Sequence, residues 1–394
     1  MMQRVPGWVW ADVLAPFICT RLVLWLVAFL SLQVFEEPWD LQAWQVAPGG
    51  VLQGVSQEAG MPLSKGDKIL DPWARWDSGW YLSIANDGYS AESGKQSGST
   101  FFPMYPLMIK WFAGWPEGKS VRSVWAGWLI SNAAFVCGLI VLVGWLRREW
   151  DEGIARRTAW YLLVFPTSFF FSSIYSEGLF FLASVSSLFQ ARNARWMSAG
   201  MWGCVAALTR PPGFLLAVPL LVEYLVQRGW RWRELRWSVL WVLLPVAGLG
   251  LYMGFLFWQF GDPLLFLHEQ NNHARQLSMP WDPFIEFFRG SRPWAAEAQS
   301  WMDFGFSVFA LAGVAFCWFR LPAMYSVFAT LMILLPLFAA RLGSMPRFVL
   351  AAFPVFIVMA MLGKRSWVDQ WITIFSIGLS ALLFAYFTLW YWVA

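Results

Sequence analysis

Charge is what this chain has least of. Only 13% of its 394 residues are Asp, Glu, Lys or Arg, against 58% apolar ones, too few to cover the surface of a water-soluble globule. That excludes a soluble enzyme and makes the bilayer the solvent. Histidine is nearly missing too: there are two, His268 and His273, five residues apart. On a helix that spacing turns them roughly 140° from each other, so the run with Glu269 is an exposed polar helix, with Gln270 and Arg275, rather than a zinc-protease helix. The four cysteines, Cys19, Cys137, Cys204 and Cys317, lie singly in apolar stretches. Without the close pairs of a zinc or redox motif they read as reduced packing residues. There is no glycine-rich nucleotide loop, no convincing internal repeat and no low-complexity segment. No cofactor and no resident metal are expected, and a net charge of +4 in a membrane chain reports loop sidedness rather than a nucleic-acid partner.

What is there in excess is aromatic. Thirty tryptophans and thirty-five phenylalanines exceed the packing needs of a helix bundle, and Trp gathers where hydrocarbon meets water. Apolar runs of helical length predict about eleven spans, near 12–34, 123–146, 158–173, 178–191, 196–209, 213–227, 237–260, 303–319, 322–340, 348–363 and 370–392. The first run is too long for a signal peptide and is expected to stay as a span. No separate soluble domain fits, so residues 1–394 read as one all-α, multi-pass membrane domain.

The loops carry the orientation. Arg147, Arg148, Arg156 and Arg157 fall in one, Arg192 and Arg195 in the next, then Arg228, Arg231, Arg233 and Arg236, then Lys364 and Arg365. With the predicted spans all of these share one side with Arg4. By the positive-inside rule that side is the cytoplasm, so the N-terminus is inside and the C-terminus outside, and the plasma membrane is the expected location. Two long segments, 35–122 and 261–302, then lie outside. Asp71-Pro72, Asp262-Pro263 and Asp282-Pro283 are helix starts within them, and Gly88 and Gly290 can end the first and third helices. Short interfacial helices rich in Trp and Phe are therefore expected there.

The first outer segment holds the densest set of chemical groups: Arg75-Trp76-Asp77, Tyr81, Asn86-Asp87-Gly88-Tyr89 and Phe101-Phe102-Pro103-Met104-Tyr105-Pro106. Asp77 and Tyr81 are one helical turn apart, and Arg75 is near enough in sequence to favour the charged carboxylate. A carboxylate at the membrane surface can take a proton from a hydroxyl, the task of a general base in glycosyl transfer. The plainer reading makes Asp77 a solvated interfacial residue and Asp87-Gly88 a turn.

The ordered set decides between them. Arg-Trp-Asp with Tyr81, Ile84-Ala85, Gly88-Tyr89 and the Phe-Phe-Pro-x-Tyr-Pro run resembles the signature of the PIG-V mannosyltransferase family and its prokaryotic relatives. Tyr175-Ser176-Glu177, Thr209-Arg210 with Gly213, Gly261-Asp262-Pro263 and Arg347-Phe348 ahead of Pro354 resemble later motifs of that family in the same order, over roughly residues 70–355. Two departures stand out: Arg75 replaces the usual His, and Pro211-Pro212 replaces a polar pair, which leaves sugar and acceptor open. The family belongs to the GT-C glycosyltransferases, multispan enzymes that use polyprenyl-phosphate sugars and place an acidic residue in the first outer loop. The resemblance therefore implies an inverting transferase with Asp77 as base. Its partners would be a polyprenyl-phosphate hexose, mannose in the first place, a glycan, lipid or protein acceptor, and membrane lipids.

Further candidates follow from cost. Arg210, Arg341 and Arg347 interrupt apolar runs at outer span ends, where a cation either snorkels or finds an anion such as a lipid phosphate. A guanidinium can grip phosphate in a fork. Glu177 either orients a sugar hydroxyl or Arg210, or simply suits a helix N-terminus. Tyr105 is an aromatic anchor or a stacking surface, and Tyr175 joins the set through its motif. An assisting divalent ion near Asp77 and Asp87 is left open. Two rival classes remain, a lipid or sugar transporter and a non-catalytic accessory subunit. Against the transporter stands the lack of paired broken repeats and of mid-span acids other than Glu223.

Overall fold

The computed structural model describes residues 6–35, 69–90, 98–115, 120–272, 278–289, 301–338, 342–391 and 393. Every element among them is helical. A π-helical turn, Val9–Leu14, runs into α1, Ala15–Val34. The first long polar segment supplies a 3-10 turn at Asp71–Trp73, α2 at Ser78–Asp87 and α3 at Met104–Phe112. The body follows: α4 (Val121–Glu149), α5 (Glu152–Val164), α6 (Glu177–Arg192), α7 (Trp196–Thr209), α8 (Ala217–Val226) and α9 (Leu244–Phe260). The second long polar segment contributes α10 (Leu265–Asn272) and α11 (Asp282–Phe288). The chain then closes with α12 (Trp301–Arg320), α13 (Ala323–Leu337), α14 (Met345–Phe348), α15 (Pro354–Leu362) and α16 (Ser366–Thr388).

Five stretches are long and apolar enough to cross a membrane: Val9–Val34, Val121–Glu149, Trp237–Phe260, Trp301–Arg320 and Ser366–Thr388. A sixth is reached if Met345–Ala351 and Pro354–Leu362, bent by 88°, count as one. The other segments expected to span are helical but short. With 13 residues, α5 reaches about 20 Å of the roughly 30 Å hydrocarbon core.

Proline ends two of them, α5 and α7. A residue ahead of proline is driven out of the helical region. Phe165 before Pro166 has ψ 142°, and Arg210 before Pro211 is fully extended at φ −152°, ψ 148°. At the Pro166 break residues 165–168 are buried in protein, where alone such breaks are tolerated at membrane depth. The buried Arg21 of α1 caps the α5 break, its guanidinium 3.3 Å from both the hydroxyl and the carbonyl of Ser168.

The core is aromatic. Phe135 of α4 stacks on Phe171 at 4.1 Å and 9°, and Phe169 and Phe170 pack against Phe387 of α16. Helices approach closely at small residues. A methyl on Gly178 would sit 2.5 Å from the Ser131 carbonyl, and one on Gly213 would sit 2.3 Å from the Ala206 backbone. Gly178 follows directly on Glu177, and Gly213 lies three positions after Arg210.

The helix starts expected in the outer segments differ in detail. Asp71-Pro72 opens only the three-residue 3-10 turn, and α2 begins after Asp77. Gly88, at φ 89°, ends it. The Asp262 carboxylate accepts the Leu264 N–H at 2.9 Å, and Asp282 accepts that of Met279 at 2.8 Å. Gly290 lies outside the described residues. Exposed Trp111, Trp115, Trp281 and Trp301 ring this end of the molecule, and Trp230, Trp237, Trp318 and Trp367 ring the other. The basic loops gather at that other end: Arg147 pairs with Asp12, Arg192 with Glu149 and Glu223, and Lys364 with Asp151.

Candidate active site

The site is assembled from four chain breaks, beginning with the segment before α2. Trp73 is wholly buried, packed 4.7 Å from Phe384 and 5.7 Å from Trp25. Two residues on, the Arg75 guanidinium is buried as well. It contacts Asp71 at 2.8 Å, donates from Nε to the Thr388 carbonyl at 3.1 Å, and lies 4.5 Å from the centre of the Trp390 ring. Arg75 thus ties the segment to the C-terminal end of α16, where carbonyls lack helical partners and a cation is favourable. The expectation that Arg75 polarises Asp77 gives way to this arrangement.

Trp76 then adopts a left-handed conformation, φ 54°, which costs a residue with a Cβ about 1–2 kcal/mol. Its ring meets Trp390 edge-on at 6.0 Å. The reversal sends Asp77 away from Arg75. Tyr175 staples it in place: its hydroxyl accepts the Asp77 N–H and donates to the Arg75 carbonyl, both at 3.1 Å. A backbone bond from the Ile174 N–H to the Trp73 carbonyl, 3.0 Å, runs alongside. Burial pushes the Tyr175 hydroxyl well above the ordinary tyrosine range, so it stays a donor.

Glu177 opens α6, Arg210 follows α7, and Arg347 lies in the single turn of α14. Ser344 at φ 71° turns the chain into α14, and the Thr167 hydroxyl holds the Pro346 carbonyl at 2.6 Å. These breaks bring together residues far apart in sequence. Arg347 Nη1 meets Asp77 Oδ2 at 2.5 Å, Arg347 Nε donates to Glu177 Oε1, and Arg210 Nη1 meets the same Glu177 oxygen at 2.5 Å. The result is a chain of alternating charge, Asp77–Arg347–Glu177–Arg210, with no net charge. The Arg347 guanidinium also lies 4.7 Å from the Tyr175 ring centre and 5.4 Å from that of Phe170. Exposure grades the set. The Glu177 side chain is 2% exposed and that of Arg347 8%, whereas Arg210 reaches 13% and Asp77 23%. Asp77 and Arg210, the two ends, are therefore what an incoming molecule meets first.

Tyr81 and Tyr105 support rather than line this chain. The buried Tyr81 hydroxyl bonds the Ser176 hydroxyl at 2.7 Å, and burial raises its pKa to about 12. Tyr105 bonds the Gly127 carbonyl at 3.0 Å and the Ser131 hydroxyl at 2.7 Å, and Ser131 in turn donates to the Tyr175 carbonyl at 2.9 Å. Tyr105 is thus a packed interior residue, not an interfacial anchor. Asp87 is exposed at the far end of α2, about 15 Å along the helix from Asp77. That separation is too great for one ion to touch both carboxylates. The 261–302 segment packs on the first long segment through Phe266 and Phe102, 5.5 Å apart, with His268 2.7 Å from Asp262. That contact and the Leu264 amide hold the exposed Asp262 carboxyl below its usual value. His273, Arg275 and Arg341 lie outside the described residues, as does the Gln270 side chain. No group of three or more His, Cys, Asp or Glu that could hold a metal occurs among the described residues.

The family model of the PIG-V mannosyltransferases matches residues 21–381, nearly the whole chain and all four members of the charge chain. The chain belongs to the PIG-V mannosyltransferase family. Among curated protein sequences no relative matches it. Of solved structures, this PIG-V family member is similar to the oligosaccharyltransferase of Archaeoglobus fulgidus. For the apo form the identity is 12% and the TM-score 0.43, covering 95% of this chain and 56% of that one. For AglB in complex with an inhibitory peptide and a dolichol-phosphate the identity is 13% and the TM-score 0.41, with the same coverage. The chain thus spans little more than half the length of those structures. Sequence reasoning missed Thr388, Trp390, Ser131 and Thr167, all of which shape the PIG-V site through contacts that no local motif announces.

Proposed function

We propose that this PIG-V family protein moves a hexose, mannose in the first place, from a polyprenyl-phosphate donor to a hydroxyl of a glycan, lipid or protein acceptor. The reaction takes place on the extracytoplasmic side of the plasma membrane and inverts the anomeric centre, within an arrangement of about eleven spans of the GT-C kind. The observation that carries the reading is the Arg347 guanidinium shared between Asp77 and Glu177.

In the absence of donor the Asp77 carboxylate is engaged by Arg347. A donor phosphate is a stronger anion for a guanidinium fork than one carboxylate oxygen. It draws Arg347, with Arg210 alongside, and frees the Asp77 carboxylate for the acceptor. The acceptor hydroxyl gives its proton to Asp77 as its oxygen attacks the anomeric carbon. The bond from that carbon to the phosphate oxygen breaks, and polyprenyl phosphate leaves with its charge held by the two arginines. Binding is therefore ordered, donor first. The scheme invokes no cofactor.

The test is Asp77→Asn in lipid nanodiscs with a synthetic polyprenyl-phosphate mannose. General-base loss lowers transfer by about 10²–10⁴-fold, with donor binding retained. Transfer at the wild-type rate removes Asp77 as base. Asp87→Cys, at an exposed position, reports sidedness: labelling only from the cell interior overturns the extracytoplasmic assignment.

A further inference from the structure

The end of the molecule away from Asp77 has a built feature of its own. The 14 residues of α7 separate it from Arg210 by about 20 Å. Here the chain between α8 and α9 reads Arg228-Gly229-Trp230-Arg231-Trp232-Arg233-Glu234-Leu235-Arg236-Trp237. Gly229 and Trp230, at φ 58° and 59°, reverse it.

One buried side chain, Tyr224, organises two of the arginines. The Arg228 guanidinium lies 3.6 Å from the Tyr224 ring centre. The Tyr224 hydroxyl accepts the Arg236 N–H at 3.2 Å and sits 2.9 Å from the Ser238 hydroxyl. Between these strands of contact is a cleft of about 480 Å³ lined by Arg228, Arg233 and Arg236, with Gln227 and Glu234. Glu234 is already engaged by Arg231 at 3.0 Å. No other carboxylate among the described residues pairs with the three lining arginines. The rim is apolar and exposed: Trp230 at 54%, Leu235 at 40% and Trp237 at 88%.

We propose that this cleft binds the headgroup phosphate of an anionic glycerophospholipid from the leaflet opposite the Asp77 site. Three arginines lining one cleft suit a phosphate. The exposed tryptophans place the cleft at headgroup depth. The apolar rim decides between sources of phosphate, because a soluble anion has no use for it whereas a lipid buries its glycerol and upper chains there.

Any basic membrane face attracts anionic lipid diffusely, so the test compares two charge-matched variants of the full-length protein. Wild type, Arg233→Ala/Arg236→Ala and Arg156→Ala/Arg365→Ala are placed in nanodiscs of equal phosphatidylglycerol and phosphatidylcholine, and retained lipid is read by native mass spectrometry. The second pair is exposed and lies on the same face. Wild type retains one phosphatidylglycerol in preference to phosphatidylcholine. The cleft variant loses that preference by about tenfold or more, and the control keeps it within about twofold, because screened attraction from elsewhere on the face contributes little to one site. Tyr224→Phe, which removes the hydroxyl but keeps the ring, weakens it by an intermediate factor. No preference in wild type, equal loss in both double variants, or retention of added inorganic phosphate in place of lipid each overturns the proposal.

Discussion

Tyr175→Phe removes one oxygen and tests how Asp77 is held. The hydroxyl bridges the two sides of the left-handed Trp76, taking the Asp77 N–H and giving to the Arg75 carbonyl at 3.1 Å each. Its ring also carries Arg347 at 4.7 Å, and the phenyl group preserves that contact. The substitution therefore leaves the charge chain its aromatic support and takes away only the staple. Two net hydrogen bonds contribute about 2 kcal/mol, and the desolvated amide and carbonyl left behind bring the total to about 2–4 kcal/mol. Trp76 then holds its unfavourable conformation with less opposing it, and the 74–77 segment relaxes. A displacement near 1 Å of a catalytic group costs about 100-fold in rate. The expected result is a kcat lowered by about 30- to 100-fold with donor KM within about threefold of wild type, since Arg210 and Arg347, the arginines proposed to hold the donor, are untouched. Thermal unfolding in nanodiscs falls in step with the lost bonds. Tyr175→Phe with wild-type kcat and unchanged unfolding temperature refutes the staple; a loss confined to donor KM would place the hydroxyl on the substrate instead.

Glu177→Gln leaves two arginines facing one amide oxygen and destabilises by about 3–5 kcal/mol, read as a lowered unfolding temperature. Arg210→Met in that background recovers part of the loss, and a double variant whose loss equals the sum of the singles contradicts the shared-oxygen geometry. Gly213→Ala forces a methyl to 2.3 Å from the Ala206 backbone, at about 1–3 kcal/mol, and displaces Arg210, so transfer falls with stability. Gly254→Ala, where an added Cβ meets nothing within 4 Å, is the control that keeps both.

The residues of the charge chain could be named from the sequence because each breaks a local rule. Asp77 is a carboxylate beside membrane tryptophans, and Arg210 and Arg347 are cations in apolar runs. Their pairing could not be read, because it is long range. Asp77 meets Arg347, 270 positions away, rather than Arg75 two positions away, and Arg75 reaches Thr388 across 313. Sequence proximity misleads where a left-handed residue such as Trp76 intervenes, because it turns neighbours to opposite sides. The helical segments themselves were readable from hydropathy, and the runs 178–191 and 196–209 match Glu177–Arg192 and Trp196–Thr209 closely. Pro166 instead cuts the run 158–173 short, its helix stopping at Val164, and an apolar count does not register that stop. Tyr105 was misplaced for a related reason: flanking prolines suggested the interface, yet its hydroxyl finds Gly127 and Ser131 in the interior.

These breaks also explain how four ionisable side chains are tolerated at a membrane protein's packed end. A single charge there is costly, and a buried pair returns its desolvation cost only when the geometry is good and further hydrogen bonds complete it. Here each irregular turn delivers one charge and one support: Tyr175 for Asp77, the start of α6 for Glu177, Phe180 at 6.0 Å for Arg210, and Tyr175 with Phe170 for Arg347. Glu177, almost wholly enclosed, serves the arginines from behind. Asp77 and Arg210, at the ends, keep their access. An uninterrupted helix would leave these side chains strung along separate faces, so the proline breaks that shorten the spans are what make the charge chain geometrically attainable. The same breaks leave Asp77 dependent on contacts from the opposite end of the sequence, through Arg75 and the last helix, so this carboxylate is only as well placed as the closure of the whole bundle allows.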